Sequence, residues 1–405
     1  MTRPTRPRKR VERPIDVRRS TEESLEQAVE GEEEEDTLDL ADVDGASIAE
    51  AATGEPEEDR TPTEIADKLR ETLAGAVIAE VTTVSRTPDA QRPEHGVDLA
   101  VEAARGLWLK NPVLTASGTF GQGVEYAELI DVTRLGAFVN KGTTPHARPG
   151  NRQYRIAETP AGILNSIGLE NPGAEEVARK YGKTWAQLGV PVVVNVAGYS
   201  IADYVFVVNA LDGTPGVVAF ELNVSCPNVE GGMLFGSDPQ LAAAVTRAVK
   251  AETDKPVIVK MTPNAPDQVV AVARAVEEAG ADGITTINTI LGMRIDIAKR
   301  RPILGTGSGG LSGPAIRPIA VHMTYRVAQA VSIPVIGAGG VTSANDALEF
   351  LMAGASAVQV GTATFADPTV PLAVIEGLAA YVRDAGLASI RDVIGVALPR
   401  RPLTE

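Results

Sequence analysis

Eight short apolar runs, each carrying a polar residue at or near its end, constrain this chain more than any other feature. They cover residues 112–117, 137–143, 192–198, 219–225, 257–262, 283–289, 334–340 and 357–363. Each is apolar enough to be buried on both faces, as parallel strands are. Most are followed by a helix-like stretch, such as 267–279 or 344–353. Eight β-then-α units predict a (β/α)8 TIM barrel, class α/β. A doubly wound open sheet has the same periodicity, and the pattern alone does not separate the two.

The polar residues are Ser117, Lys141, Asn195, Asn223, Lys260, Asn288 and Gly339. In a barrel, the C-terminal ends of the strands form the active-site face. Buried strands tolerate Lys or Asn only where something satisfies them. One such residue means little, but the same trend on strand after strand predicts a site. Lys141 and Lys260 are either rim lysines reaching solvent or buried cations. As buried cations they suit the electron-rich edge of a reduced flavin or a substrate carboxylate.

Three local motifs carry chemistry. Asn-Val-Ser-Cys-Pro-Asn, residues 223–228, follows the fourth run and holds the only cysteine. A lone cysteine is more often inert packing. Here Asn223 and Asn228 flank it with paired donors and acceptors, and a thiol that favours its thiolate can act as a base near neutral pH. Gly337-Ala338-Gly339-Gly340 and Val360-Gly361-Thr362 end the last two runs. The loops after strands seven and eight are the usual phosphate site of such barrels. A third Gly-rich stretch, 308–313, can close over the same group. Residues 158–173 form a long connection after the second run, either a surface loop or a substrate lid.

Charge is uneven along the chain. Residues 1–20 hold eight Lys/Arg and two acids, and residues 21–60 hold seventeen acids and one Arg. The net charge of −15 argues against nonspecific nucleic-acid binding. Residues 1–62 lack apolar periodicity and read as a disordered charged tail. Residues 63–95 read as a linker with a helix over 63–81, and 96–405 as the catalytic barrel. No apolar run is long enough to span a bilayer, so a cytoplasmic, membrane-free protein is expected. With one cysteine, no intrachain disulfide, zinc cluster or iron–sulfur site can form.

From about Gly96 to Leu398 the chain resembles the class 1 dihydroorotate dehydrogenases. The resemblance rests on the motifs at 111–121, 139–144, 164–173, 223–228, 287–289, 337–341 and 360–363, which occur in family order. The stretch Arg155-Ile-Ala-Glu-Thr-Pro-Ala-Gly-Ile-Leu-Asn165 is similar to subclass 1B. The resemblance implies that Cys226 removes the C5 proton of dihydroorotate while hydride leaves C6 for FMN. It implies a pyrimidine and carboxylate site of Lys141, Asn165, Ile167, Gly168, Leu169, Asn223, Asn228, Asn288 and Thr289. It implies a flavin site of Ser117, Lys141, Gly142, Asn195, Asn223, Lys260 and Ile287, with Gly313, Gly339, Gly340, Gly361 and Thr362 on the ribityl phosphate. Gly142 departs from the family, where Ala or Thr is more familiar. Subclass 1B further implies one FMN per chain, a homodimer core within a heterotetramer, and a partner subunit. That partner carries FAD and a [2Fe–2S] cluster and passes electrons to NAD. No metal is expected on this chain. A related dihydropyrimidine dehydrogenase, a flavin-free phosphate-binding barrel and a noncatalytic scaffold with an acidic tail are the competing readings.

Overall fold

The computed structural model describes residues 95–225 and 235–399. These lie in the second of two units into which the chain divides, 77–405. The expected tail, linker and helix over 63–81 lie outside the described residues.

The eight expected strands all form. They are β1 (Val113–Thr115), β2 (Phe138–Val139), β3 (Val192–Val196), β4 (Val217–Asn223), β5 (Val257–Lys260), β6 (Gly283–Thr286), β7 (Val335–Ala338) and β8 (Ala357–Val360). Each pairs in parallel with its neighbours, in the order β1-β8-β7-β6-β5-β4-β3-β2. The ring closes through a parallel bridge between Leu114 and Ala137, where Gly136 N donates to Val113 O at 2.9 Å. Closure settles the choice between barrel and open sheet. Every residue of β3, β5, β6, β7 and β8 is buried, which is why their sequences do not alternate. The strands stop short of the expected runs, because the Asn, Ser and Gly residues beyond them turn into loops.

Seven helices surround the ring among the described residues: α1 (Ala174–Gln187), α2 (Ile201–Leu211), α3 (Pro239–Lys250), α4 (Val269–Glu278), α5 (Arg317–Ala330), α6 (Ala344–Met352) and α7 (Val370–Asp384). Helix α3 shows why they form. Asp238 caps it, accepting from Gln240 N and Leu241 N at 2.8 and 3.2 Å, and Pro239 opens it. Val245 and Val249 share its buried face, each worth about 1.5–3 kcal/mol. Between β1 and β2 no α-helix forms; a single 3-10 turn, Val132–Arg134, takes its place.

Two additions position the site. A hairpin, Val101–Ala104 with Leu107–Leu109, covers the N-terminal end of the barrel, and Arg105 N donates to Asp282 O at 2.8 Å just before β6. At the other end lies a four-stranded antiparallel sheet, in the order Ile290–Gly292, Gly309–Ser312, Gly162–Asn165, Ile156–Thr159. It joins the connection after β2 to the connection after β6.

Candidate active site

A polar knot sits inside the barrel. Glu221 on β4 is fully buried. Its Oε1 accepts from Asn195 Nδ2 on β3 at 2.8 Å and from Lys260 Nζ on β5 at 3.4 Å. Its Oε2 accepts from Thr285 Oγ1 on β6 at 2.8 Å and Gln359 Nε2 on β8 at 2.5 Å. Lys260 also donates to Gln359 Oε1 at 2.9 Å. A buried carboxylate is tolerable only when paired and hydrogen-bonded, and this one has four donors. Asn195 and Lys260 were expected at the site from sequence. Glu221, Thr285 and Gln359 were not; the signal was a Glu and a Gln inside otherwise apolar runs.

Above this knot, the ends of β4 and β6 meet. Asn288 Nδ2 donates to Asn223 Oδ1 at 3.1 Å, and Thr289 N donates to Asn288 Oδ1 at 2.8 Å. Ser225 N also donates to Asn223 Oδ1, at 3.3 Å, and Ser225 Oγ to Lys260 O at 3.4 Å. The chain leading into Cys226 is thereby fixed beside both amides. Cys226 and Asn228 themselves lie outside the described residues. The chain is next described at Phe235, which packs edge-on against Tyr204. A Cβ on Gly236 would stand 2.8 Å from Val224 O, so the two ends of this segment are neighbours.

The long connection after β2 brings the remaining expected substrate residues. Asn165 Nδ2 donates to Gly310 O at 3.2 Å, across the four-stranded sheet. Gly168 and Leu169 both have positive φ, 78° and 56°, a turn that is rare for leucine. Buried Asn171 holds it, donating to Leu169 O at 2.7 Å. Ile167 O accepts from Asn151 N at 2.9 Å. Lys141, just past β2, lies 3.5 Å from Glu170 Oε2, and Arg155 lies 2.9 Å from the same oxygen. Lys141 first, and then Arg155, hold the Glu170 carboxyl below its usual range. Sequence reading passed over Glu170 and Arg155, although both lie in the quoted motifs.

The flavin mononucleotide that the resemblance implies can be tested against two observations. The first is unspent hydrogen-bonding capacity. Asn195 Oδ1 and Thr115 Oγ1 are buried and have no partner among the described residues. The Asn195 amide is oriented by its bond to Glu221, which turns Oδ1 toward Gly142; a Cβ there would lie 3.1 Å away. A ring with amide-like edges supplies what these oxygens lack. The second is a glycine cradle. Gly313, Gly339 and Gly340 have φ of 98°, 128° and 78°. A Cβ on Gly340 would lie 2.9 Å from Gly313 O, one on Gly313 3.6 Å from Thr362 Cγ2, and one on Gly361 3.1 Å from Ala116 Cβ. Thr362 Oγ1 donates to Ser312 Oγ at 2.8 Å. These turns come together, at positions where a side chain would crowd its neighbours, and glycine-rich backbone of this kind suits an anion. The residues present therefore fit the group. Ile287 is buried beside them, with its N–H on Ala338 O at 2.9 Å, and Ser117 follows β1. Among the described residues no cluster of His, Cys, Asp and Glu suits a metal, and no helix is long and apolar enough to cross a membrane.

Comparison with known proteins agrees with this geometry. Residues 99–382 match the family model described as dihydroorotate dehydrogenase. The catalytic subunit of dihydroorotate dehydrogenase B (NAD(+)) from Geobacillus kaustophilus is 53% identical over 298 residues, 73% of this chain and 95% of that protein. The protein of the same name from Halalkalibacterium halodurans is 51% identical over 298 residues, 73% of this chain and 97% of that protein. That from Geotalea uraniireducens is 47% identical over 302 residues, 74% and 98% of the two chains. A flavoprotein barrel with these motifs, matched along nearly the whole length of such relatives, belongs to the dihydroorotate dehydrogenase family, in its subclass 1B.

Proposed function

We propose that this chain performs the dihydroorotate half-reaction of a two-protein, NAD-linked enzyme of cytoplasmic pyrimidine biosynthesis. The observation that carries the reading is the Asn223–Asn288 pair, fixed beside the chain entering Cys226 and above the Glu221–Lys260 knot.

Dihydroorotate presents amide N–H and C=O edges and a carboxylate. Asn223 accepts from Asn288 and Ser225, which leaves its amide nitrogen for a substrate carbonyl. Asn165, Asn228 and Thr289 complete the amide contacts, and Ile167, Gly168 and Leu169 form the wall of the lid. Lys141 takes the carboxylate while Arg155 retains Glu170. Cys226, as thiolate, takes the C5 proton. The C6 hydrogen departs with its electron pair, and the C5–C6 double bond of orotate forms. FMN, when bound, supplies the two-electron acceptor that side chains lack. Ser117, Lys141, Gly142, Asn195, Asn223, Lys260 and Ile287 hold its ring, and Gly313, Gly339, Gly340, Gly361 and Thr362 its phosphate. A single cysteine gives this chain no iron–sulfur relay, so FAD and the [2Fe–2S] cluster belong to a partner subunit. Two copies of each chain form the assembly.

Steady-state oxidation of dihydroorotate and of dihydrouracil with several acceptors tests this. The isolated chain is expected to turn over dihydroorotate, not dihydrouracil, with an artificial dye, and to reduce NAD only with the partner subunit. Direct NAD reduction, or efficient use of fumarate, overturns the assignment.

A further inference from the structure

The knot inside the barrel contains one group to which the reaction assigns no part. Glu221 is fully buried, is itself no expected ligand contact, and accepts from four strands. Hydrophobic residues fill such a position at lower cost, since burying an ion pair is weak evidence for stability. Its surroundings show what it governs. Lys260 is almost wholly buried, and its ammonium is held between Glu221 Oε1 at 3.4 Å and Gln359 Oε1 at 2.9 Å. The third N–H remains for a ligand. Glu221 also fixes which end of the Asn195 amide faces Gly142. One carboxylate thus orients two of the expected flavin contacts and offsets the charge of the one that is cationic.

The geometry points to Glu221 as a positioning residue that sets how strongly Lys260 favours the reduced cofactor. The inference rests on the reading that Lys260 lines the flavin. Reduction puts negative charge on the ring, so a buried cation beside it favours the reduced form. A carboxylate on the far side of that cation opposes it. The pair is neutral, so its net field at the ring is that of a dipole with its positive end toward the cofactor. Removing the negative end strengthens the field.

The experiment measures the midpoint potential of FMN in the purified holoprotein, by dye-equilibrated reduction followed in the flavin absorbance. Glu221→Gln is expected to favour reduced over oxidised FMN at least tenfold, about 30 mV toward positive for a two-electron couple. Lys260→Met is expected to move the potential negative. A Glu221→Gln potential that is unchanged or more negative overturns the inference. If Lys260→Met leaves the potential unmoved, the placement of Lys260 at the flavin fails as well. If Lys260→Met shifts it and Glu221→Gln does not, only the inference fails. Should Glu221→Gln not fold, Thr285→Val decides. It removes one donor from Oε2 without changing volume, leaves the carboxylate charge less compensated, and should shift the potential negative. No shift, or a positive one, overturns the role.

Discussion

Glu170 shows how a residue outside the reacting set can still be read from its neighbours. Lys141 lowers its carboxyl pKa, with Arg155 adding to the effect, from an ordinary value of 4.5. A carboxyl whose pKa is depressed on folding adds stability that is present above the unfolded pKa and lost as pH falls through the folded one. The Glu170→Gln variant should therefore melt slightly below the parent at pH 7 and at pH 5.5, with the gap closing only in acid below 4.5. The group is partly exposed, so the effect is small and weakens with salt. A gap that already closes between pH 7 and 5.5, followed by scanning calorimetry, contradicts the pairing. Cys226 makes the sharper prediction. Cys226→Ala should retain FMN absorbance yet lose dihydroorotate turnover by a factor of about 10²–10⁴, the usual worth of a general base. Retained turnover removes the thiol from the mechanism. Asn195, Asn223, Lys260 and Asn288 were legible in the sequence because polar residues at strand ends are costly without a purpose. Glu221 and Gln359 lie inside their runs and not at the ends, and their partners come from strands up to 138 residues away, so no local pattern marks them.

Among the elements, the barrel strands were easier to read than the sheet above them. Parallel strands buried on both faces leave continuous apolar runs, which survive in the sequence. The strands Gly162–Asn165 and Gly309–Ser312 are four residues each and rich in glycine. Their pairing spans a separation of about 145 residues, Asn165 with Gly310, so no local period announces it. The same short range explains the missing helix after β1, where eight repeats suggested one. Gly313 ties this sheet to the turns proposed for the phosphate. At φ 98° an alanine is strained, and its Cβ would lie 2.7 Å from Gly162 Cα, which is backbone and cannot swing aside. Gly313→Ala should cost about 1–3 kcal/mol in unfolding stability and release FMN on gel filtration. Alanine at Gly106, also at positive φ but with open space around it, should leave FMN bound. Equal FMN retention in both variants counts against a phosphate role for the turn.

At the scale of the whole molecule, the ring from β1 to β8 and its N-terminal hairpin are complete within the described residues, and the family match starts at residue 99. A chain beginning at His95 should keep dihydroorotate turnover with an artificial acceptor within about twofold of the full chain. A truncated chain that folds, as judged by circular dichroism, yet fails to turn over would give residues 1–94 a part in catalysis. The acidity read from composition belongs mainly to those first residues, which the motifs of the resemblance do not cover. The barrel expected from the eight repeats forms; periodicity alone left an open sheet as the alternative, and the parallel bridge between Leu114 and Ala137 decides between them.

The pairing of Ile163 with Ser312, Leu164 with Leu311 and Asn165 with Gly310 means that the residue proposed for the pyrimidine and the turn proposed for the phosphate hang on one pair of strands. Two ligands that share a support must each feel the other. If phosphate anchoring steadies those strands, orotate binds more tightly to the loaded protein, and orotate tightens cofactor binding by an equal free energy, because such coupling is reciprocal. The protein then behaves as a lock with two keys, each easier to turn once the other is in.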